Sequence, residues 1–123
     1  MILQEIYKKM IQIQERGVDA FICETVTSIE EAQILIEATS ETSKKVILSF
    51  TVDEVDGTIL RSGESLELAL NEFDNSKVDA FLINCSPPES MIMSLEILKI
   101  HSFFLLYEVK QLALNSNLLF QYM

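Results

Sequence analysis

Six residues stand where a short apolar run gives way to polar sequence. Glu24 and Thr25 follow "VDAFIC", Thr51 and Asp53 follow "KVILSF", and Asn84 and Cys85 follow "VDAFLI". In a parallel α/β fold the carboxyl ends of the strands share one rim, and chemistry collects there. Strands also end in polar residues simply because loops are polar, so position alone leaves both readings open. Cys85 divides in the same way. It is either a free, buried, small hydrophobe or a thiolate ligand for a soft metal such as zinc. A single cysteine does not settle this, because a zinc site needs at least three protein ligands. Cys23 is a poor second ligand. It precedes Glu24, so the two side chains point to opposite faces of a strand. If Glu24 faces the rim, Cys23 packs against the helices. His101, the one histidine, is expected just after a helix and away from the rim, so it receives no catalytic role. There is neither a glycine-rich phosphate loop nor a nucleophile elbow.

The elements that must carry these residues can be read from periodicity. Ile2, Ile6, Met10 and Ile13 recur at helical spacing with charges between them, and Gly17 stops that amphipathic helix. "VDAFICE" suits a buried strand. Ser28 and Glu31 have the spacing of a capping box, and Ala32, Leu35, Ile36 and Thr39 continue a helix face. "KVILSFTV" is the second strand. The polar segment 53–65 is a loop with a small excursion at 58–60. A helix over 64–73 puts Leu66, Leu70 and Phe73 on one side. "KVDAFLIN" is the third strand, residues 90–100 form a fourth helix, and "FFLLYEV" is read as a fourth strand.

Helices and strands alternate, with connections too long for hairpins, which implies parallel strands and crossover helices. "VDAFICE" at Val18–Glu24 matches "VDAFLIN" at Val78–Asn84, an offset of 60 residues. One helix–strand unit takes about 30 residues, so the offset is two units. Like strands separated by one other strand suit a (β/α) barrel, where alternate strands fill the same interior layer.

Bulk composition narrows the function. A hydrophobic content of 49% supports a core, and a net charge of −10 removes the basic footprint that nucleic-acid binding needs. The charged N-terminal residues do not read as a signal peptide, and Glu96 and Lys99 interrupt the apolar stretch 91–107, so no membrane span is expected. Two cysteines make no disulfide scaffold, and a cytoplasmic, reducing setting fits.

Three blocks, "GVDAFICETVTSIEEA", "VILSFTVDEVDGTILRSGESLELAL" and "VDAFLINCSPPES", strongly resemble the middle of the homocysteine S-methyltransferase family, in order and spacing, from about Gly17 to Ser90. The resemblance implies a zinc-dependent (β/α)8 TIM barrel. Such a barrel moves a methyl group from S-methylmethionine, S-adenosylmethionine or betaine to homocysteine, giving methionine. It also implies roles for two residues. Cys85 matches the family's first zinc-ligand cysteine. Glu24, in "ET", matches the glutamate that contacts the homocysteine amino group. The prolines after Cys85 would stiffen the ligand-bearing loop.

The chain also departs from the pattern. The family's other two zinc ligands are adjacent cysteines in a glycine-rich segment, and nothing here matches it. A full barrel takes about 250 residues, and the 123 residues here supply about three to four consecutive β/α units. These correspond to strands four to six of eight and an altered seventh. Residues 1–101 are therefore expected to form a partial homocysteine-binding barrel domain, and 102–123 a divergent tail holding that seventh strand and non-family sequence. With one thiolate the chain is not expected to hold zinc tightly or to be active alone. The open sheet edges are expected to favour self-association. The divergent tail suggests a truncated or frameshifted gene. The alternative to a methyltransferase is a non-catalytic remnant, or a binding or interaction module, derived from the barrel.

Overall fold

The structure is a computed structural model that describes residues 2–74 and 77–115, with side chains described through 101. It opens with α1 (Ile2–Gln14), continued by a 3₁₀ turn at Glu15–Gly17. Then come β1 (Ala20–Val26), α2 (Ile29–Ala38), β2 (Lys45–Phe50), α3 (Leu66–Phe73), β3 (Ala80–Ile83) and α4 (Pro88–Asn115).

The three strands form one parallel sheet in the order β1-β2-β3. Ala20 pairs with Lys45 at one junction, and Ile47 pairs with Ala80 at the other. The two like segments therefore flank the middle strand, as the 60-residue offset implies. Both faces of the sheet are apolar, as parallel strands require. On the helix side, Cys23, Val46, Leu48, Phe50 and Phe81 join Leu35, Leu66, Leu70, Phe73 and Leu98 in the main core. On the opposite face, Ile22, Ile47 and Ala80 form a small buried cluster with Leu82 against it.

Local chemistry explains where the helices begin. Ser28 caps α2 by accepting the Glu31 amide. Glu31 returns a bond one residue earlier than a capping box would, to the Thr27 amide at 2.9 Å and the Thr27 hydroxyl at 3.1 Å. Ser65 caps α3 by accepting the Leu68 amide. The 58–60 excursion forms two isolated antiparallel bridges, Val52 to Leu60 and Ile59 to Ser65. Lys77 reaches back to the carbonyls of Thr39 and Thr42, tying the entry of β3 to the exit of α2.

Two expectations change. "FFLLYEV" is helical, because α4 runs through it to Asn115. No glycine or proline separates the segment from the helix before it, and an apolar run of that length does not by itself distinguish strand from helix. The remainder of the expected tail, 116–123, lies outside the described residues. His101 correspondingly sits inside α4, not after a helix. In α1 the stripe Ile2, Ile6 and Ile13 is exposed, and the buried residue is Ile11, packed with Val18, Phe21 and Ala38. Among the described residues, no helix is long and apolar enough to cross a membrane.

Candidate functional site

The strand ends meet, and Asn84 is where they meet. Its amide hydrogen-bonds the Phe50 carbonyl at 3.0 Å, extending the β2–β3 ladder by one residue. Its side-chain oxygen accepts from the Thr25 amide at 3.1 Å and from the Ser49 hydroxyl at 2.8 Å. Its side-chain nitrogen donates to Thr25 Oγ1 at 2.9 Å and lies 3.4 Å from Cys85 Sγ. Thr25 Oγ1 is itself 3.9 Å from that sulfur. One carboxamide thus joins the ends of all three strands.

The backbone here is unusual. The register of β1 on β2 shifts between Cys23 and Val26, a bulge centred on Glu24 and Thr25. Bulges bend a strand and re-aim its side chains. Thr25 has φ of 59° and Cys85 φ of 51°; among the described residues, no other non-glycine has positive φ. For β-branched Thr25 this is a real departure from allowed backbone space, and such strain costs on the order of 1–3 kcal/mol per residue. The surrounding hydrogen bonds must offset it.

Glu24 lies within the bulge, half-buried. Among the described residues its carboxylate has no hydrogen-bond partner, which leaves both oxygens for a ligand. Cys85 is exposed, whereas Cys23 is fully buried in the helix-side core. Burial pushes the Cys23 thiol up to about 12, so it stays protonated. Cys23 packs in the core as expected, and of the two readings open for Cys85 the buried hydrophobe is not what its exposure shows.

The other rim candidates have structural duties. The Thr51 hydroxyl donates to the Asn84 carbonyl at 3.1 Å. Asp53 turns inward on its own loop and accepts the amides of Asp56 and Val55; these bonds hold its carboxyl below the usual aspartate value. Nε2 of His101 lies 3.9 Å from the Glu67 carboxylate, between α3 and α4.

Sequence reasoning missed four contributors. Ser49 was legible as the one polar residue inside "VILSF". Arg61 was not, because its contacts are long-range: Nε donates to the Val52 carbonyl at 2.9 Å and Nη2 to the Cys85 carbonyl at 3.2 Å. Ser90 and Ser94, on the first turns of α4, donate to the carbonyls of Glu54 and Gly57 and fasten the 53–65 loop beside the rim.

Zinc in a catalytic site takes three protein ligands. Cys85 offers one thiol, and Cys23 is held in the core. No group of three histidine, cysteine, aspartate or glutamate side chains that could hold a metal occurs among the described residues. These residues by themselves do not fit a zinc ion.

A parallel sheet flanked by helices, with polar groups gathered at its carboxyl edge, defines part of a (β/α) barrel with a rim site. Residues 2–117 match the family described as homocysteine S-methyltransferase, and the chain belongs to that family. Over 99 residues it is 29% identical to homocysteine S-methyltransferase 2 of Arabidopsis thaliana, covering 76% of this chain and 30% of that protein. Over 89 residues it is 32% identical to homocysteine S-methyltransferase 1 of the same plant, covering 71% and 27%. The crystal structure of the apo homocysteine methyltransferase MmuM from Escherichia coli superposes with a TM-score of 0.66 at 22% identity. That superposition covers 80% of this chain and 40% of MmuM, and it shows the shared fold. The chain thus spans less than half the length of these relatives.

Proposed function

We propose that this chain is the central part of a homocysteine S-methyltransferase barrel and carries the homocysteine side of its site. The observation that supports this most is the rim cluster of Thr25, Asn84 and Cys85, which leaves the Cys85 thiol exposed two residues beyond the end of β3. Glu24, on the neighbouring bulge, would pair with the substrate ammonium through a charge-assisted hydrogen bond.

The reaction of the complete enzyme is a displacement. The homocysteine thiol releases its proton to solvent, and the resulting thiolate attacks the methyl carbon of a sulfonium donor such as S-methylmethionine or S-adenosylmethionine. The new S–C bond forms as the donor S–C bond breaks, and that electron pair stays on the donor sulfur, now a neutral thioether. Such a step depends on alignment of the reacting atoms. In this reading Cys85 supplies one metal thiolate, and two further ligands come from outside the described residues. The chain alone is therefore inactive. It operates, if joined to the rest of a barrel, as a methyl acceptor site in a cytoplasmic route to methionine.

Calorimetry with homocysteine tests the binding part. The wild-type chain should bind, and Glu24→Gln should weaken binding about tenfold, the worth of one hydrogen bond to a charged group. Absence of heat with the wild-type chain rejects the reading. A chimera tests the metal part: residues 17–90 replace the matching segment of a full-length relative. It should retain zinc, and Cys85→Ala should lose it.

A second reading is favoured by a different observation. Ile2 and Ile13 are 81% and 80% exposed on α1, and the sheet has two free edges among the described residues. These features suit a non-catalytic interaction module that associates with itself through its uncovered surfaces.

A further inference from the structure

The 60-residue repeat extends to the rim. Moving Val18–Glu24 onto Val78–Asn84 places Glu24 on Asn84 and Thr25 on Cys85. Thr25 and Cys85 share the left-handed conformation, with φ of 59° and 51°. Equivalent positions of the two like units thus take the same rare backbone geometry, and their side chains meet, with Thr25 Oγ1 3.9 Å from Cys85 Sγ. A pair of matched, disfavoured conformations needs a common restraint.

Asn84 is the side chain that touches both. A carboxamide has two acceptor lone pairs and two N–H donors, and all four are engaged here. The oxygen accepts from the Thr25 amide and the Ser49 hydroxyl; the nitrogen donates to Thr25 Oγ1 and to Cys85 Sγ. The partners are of opposite kinds on the two ends, so the amide has one workable orientation. Asn84 is anchored in turn. Its amide bonds Phe50, and its carbonyl accepts from the hydroxyls of Thr51 and Ser86. Arg61 holds the Cys85 carbonyl from the far side. Across the rim, the bond from Asn84 to Thr25 fixes the bulge that aims Glu24.

We infer that Asn84 is the positioning residue of this rim: its carboxamide locks Thr25 and Cys85 in paired left-handed conformations and so sets where Glu24 and the Cys85 thiol stand relative to each other. The inference rests on the homocysteine-site reading for its functional meaning, while its test contains no ligand, so the two can fail separately.

The test uses the 123-residue chain, isotope-labelled, with NMR Cα and Cβ shifts and amide exchange as readouts. In Asn84→Ala, the shifts of Thr25 and Cys85 should move from left-handed toward extended values. The Thr25 amide should exchange about tenfold faster, as expected for loss of one hydrogen bond, while Ile47 and Leu48 of β2 change less than about twofold. A side chain that merely stabilised the fold would raise exchange across β2 and leave the two shifts in place, and that result overturns the inference. Asn84→Asp keeps the shape and the acceptor but loses both donors, so it serves if the alanine variant does not fold. It should retain Thr25 amide protection and still move the Cys85 shifts. Unchanged Cys85 shifts in that variant also overturn the inference.

Discussion

At the scale of single residues, the loop at Gly57 packs directly against the first turn of α4. A Cβ at Gly57 would land on the Ser90 carbonyl, and backbone gives way less readily than the end of a side chain. Gly57→Ala should therefore destabilise the fold by about 1–3 kcal/mol, the usual cost of overpacking, read as a lower urea midpoint at unchanged slope. Three half-buried carboxylates add an acid dependence. Glu15 is held below its ordinary 4.5 by the Thr42 hydroxyl and then the Ser43 amide. Asp53 is lowered by the amides of Asp56 and Val55, and Asp56 by the hydroxyl and amide of Thr58, each from an ordinary 3.8. A depressed folded-state value stabilises above the unfolded value and is lost as pH falls through the folded one. The urea midpoint should hold level above about pH 4.5 and decline below it, and Glu15→Gln should remove part of that decline. A midpoint that rises on acidification would contradict the assignment.

At the scale of elements, helix starts and strand runs were largely legible, and the choice of face was not. Leu66, Leu70 and Phe73 were expected on one side of α3, and all three are buried. Ser28 was expected to cap α2 and does; Ser28→Ala should cost about 1 kcal/mol, measured by chemical denaturation. The excursion at 58–60 and the opposite facings of Cys23 and Glu24 follow from turn composition and strand alternation alone. In α1, apolar residues occupy two sides, and the sequence carries no signal for which side has a neighbour. The structure gives Ile11 a partner in Phe21 and leaves Ile2, Ile6 and Ile13 outside. The reading of "FFLLYEV" as a strand failed because apolar content without a breaker is equally good helix. A proline tests the difference. Leu105→Pro should disrupt a helix interior by about 3 kcal/mol or more and reduce the helical far-ultraviolet circular dichroism, whereas a strand there would leave that signal intact. In the site, Glu24, Thr25, Asn84 and Cys85 were visible as strand-end residues. Arg61, Ser90 and Ser94 were hidden because their partners lie far away in sequence.

At the scale of the whole molecule, three strands of a barrel leave the sheet open on two sides among the described residues. With Ile6 half-exposed and Ile2 and Ile13 largely so, the chain should associate as concentration rises. Sedimentation velocity should show a growing larger species, and Ile6→Glu with Ile13→Glu should reduce it. A concentration-independent monomer would remove the interaction reading. The acidic surface, with a net charge of −10, opposes association at low salt, so added salt should favour the larger species.

The span of the rim's hydrogen bonds bears on how the chain is made. Asn84 and Cys85 bind Thr25 across 59 and 60 residues, and Ser90 and Ser94 close on Glu54 and Gly57 across 36 and 37. A chain leaving the ribosome completes β1, α2 and β2 before any of these partners has emerged. The bulge at Glu24 and Thr25 then exists without its clamp, free to relax to ordinary extended backbone. It takes its final shape only when β3 docks and Asn84 arrives. The mouth is therefore the last part of this sheet to be built. A nascent chain stalled before residue 84 would carry the Glu24 side chain in sequence but not in place.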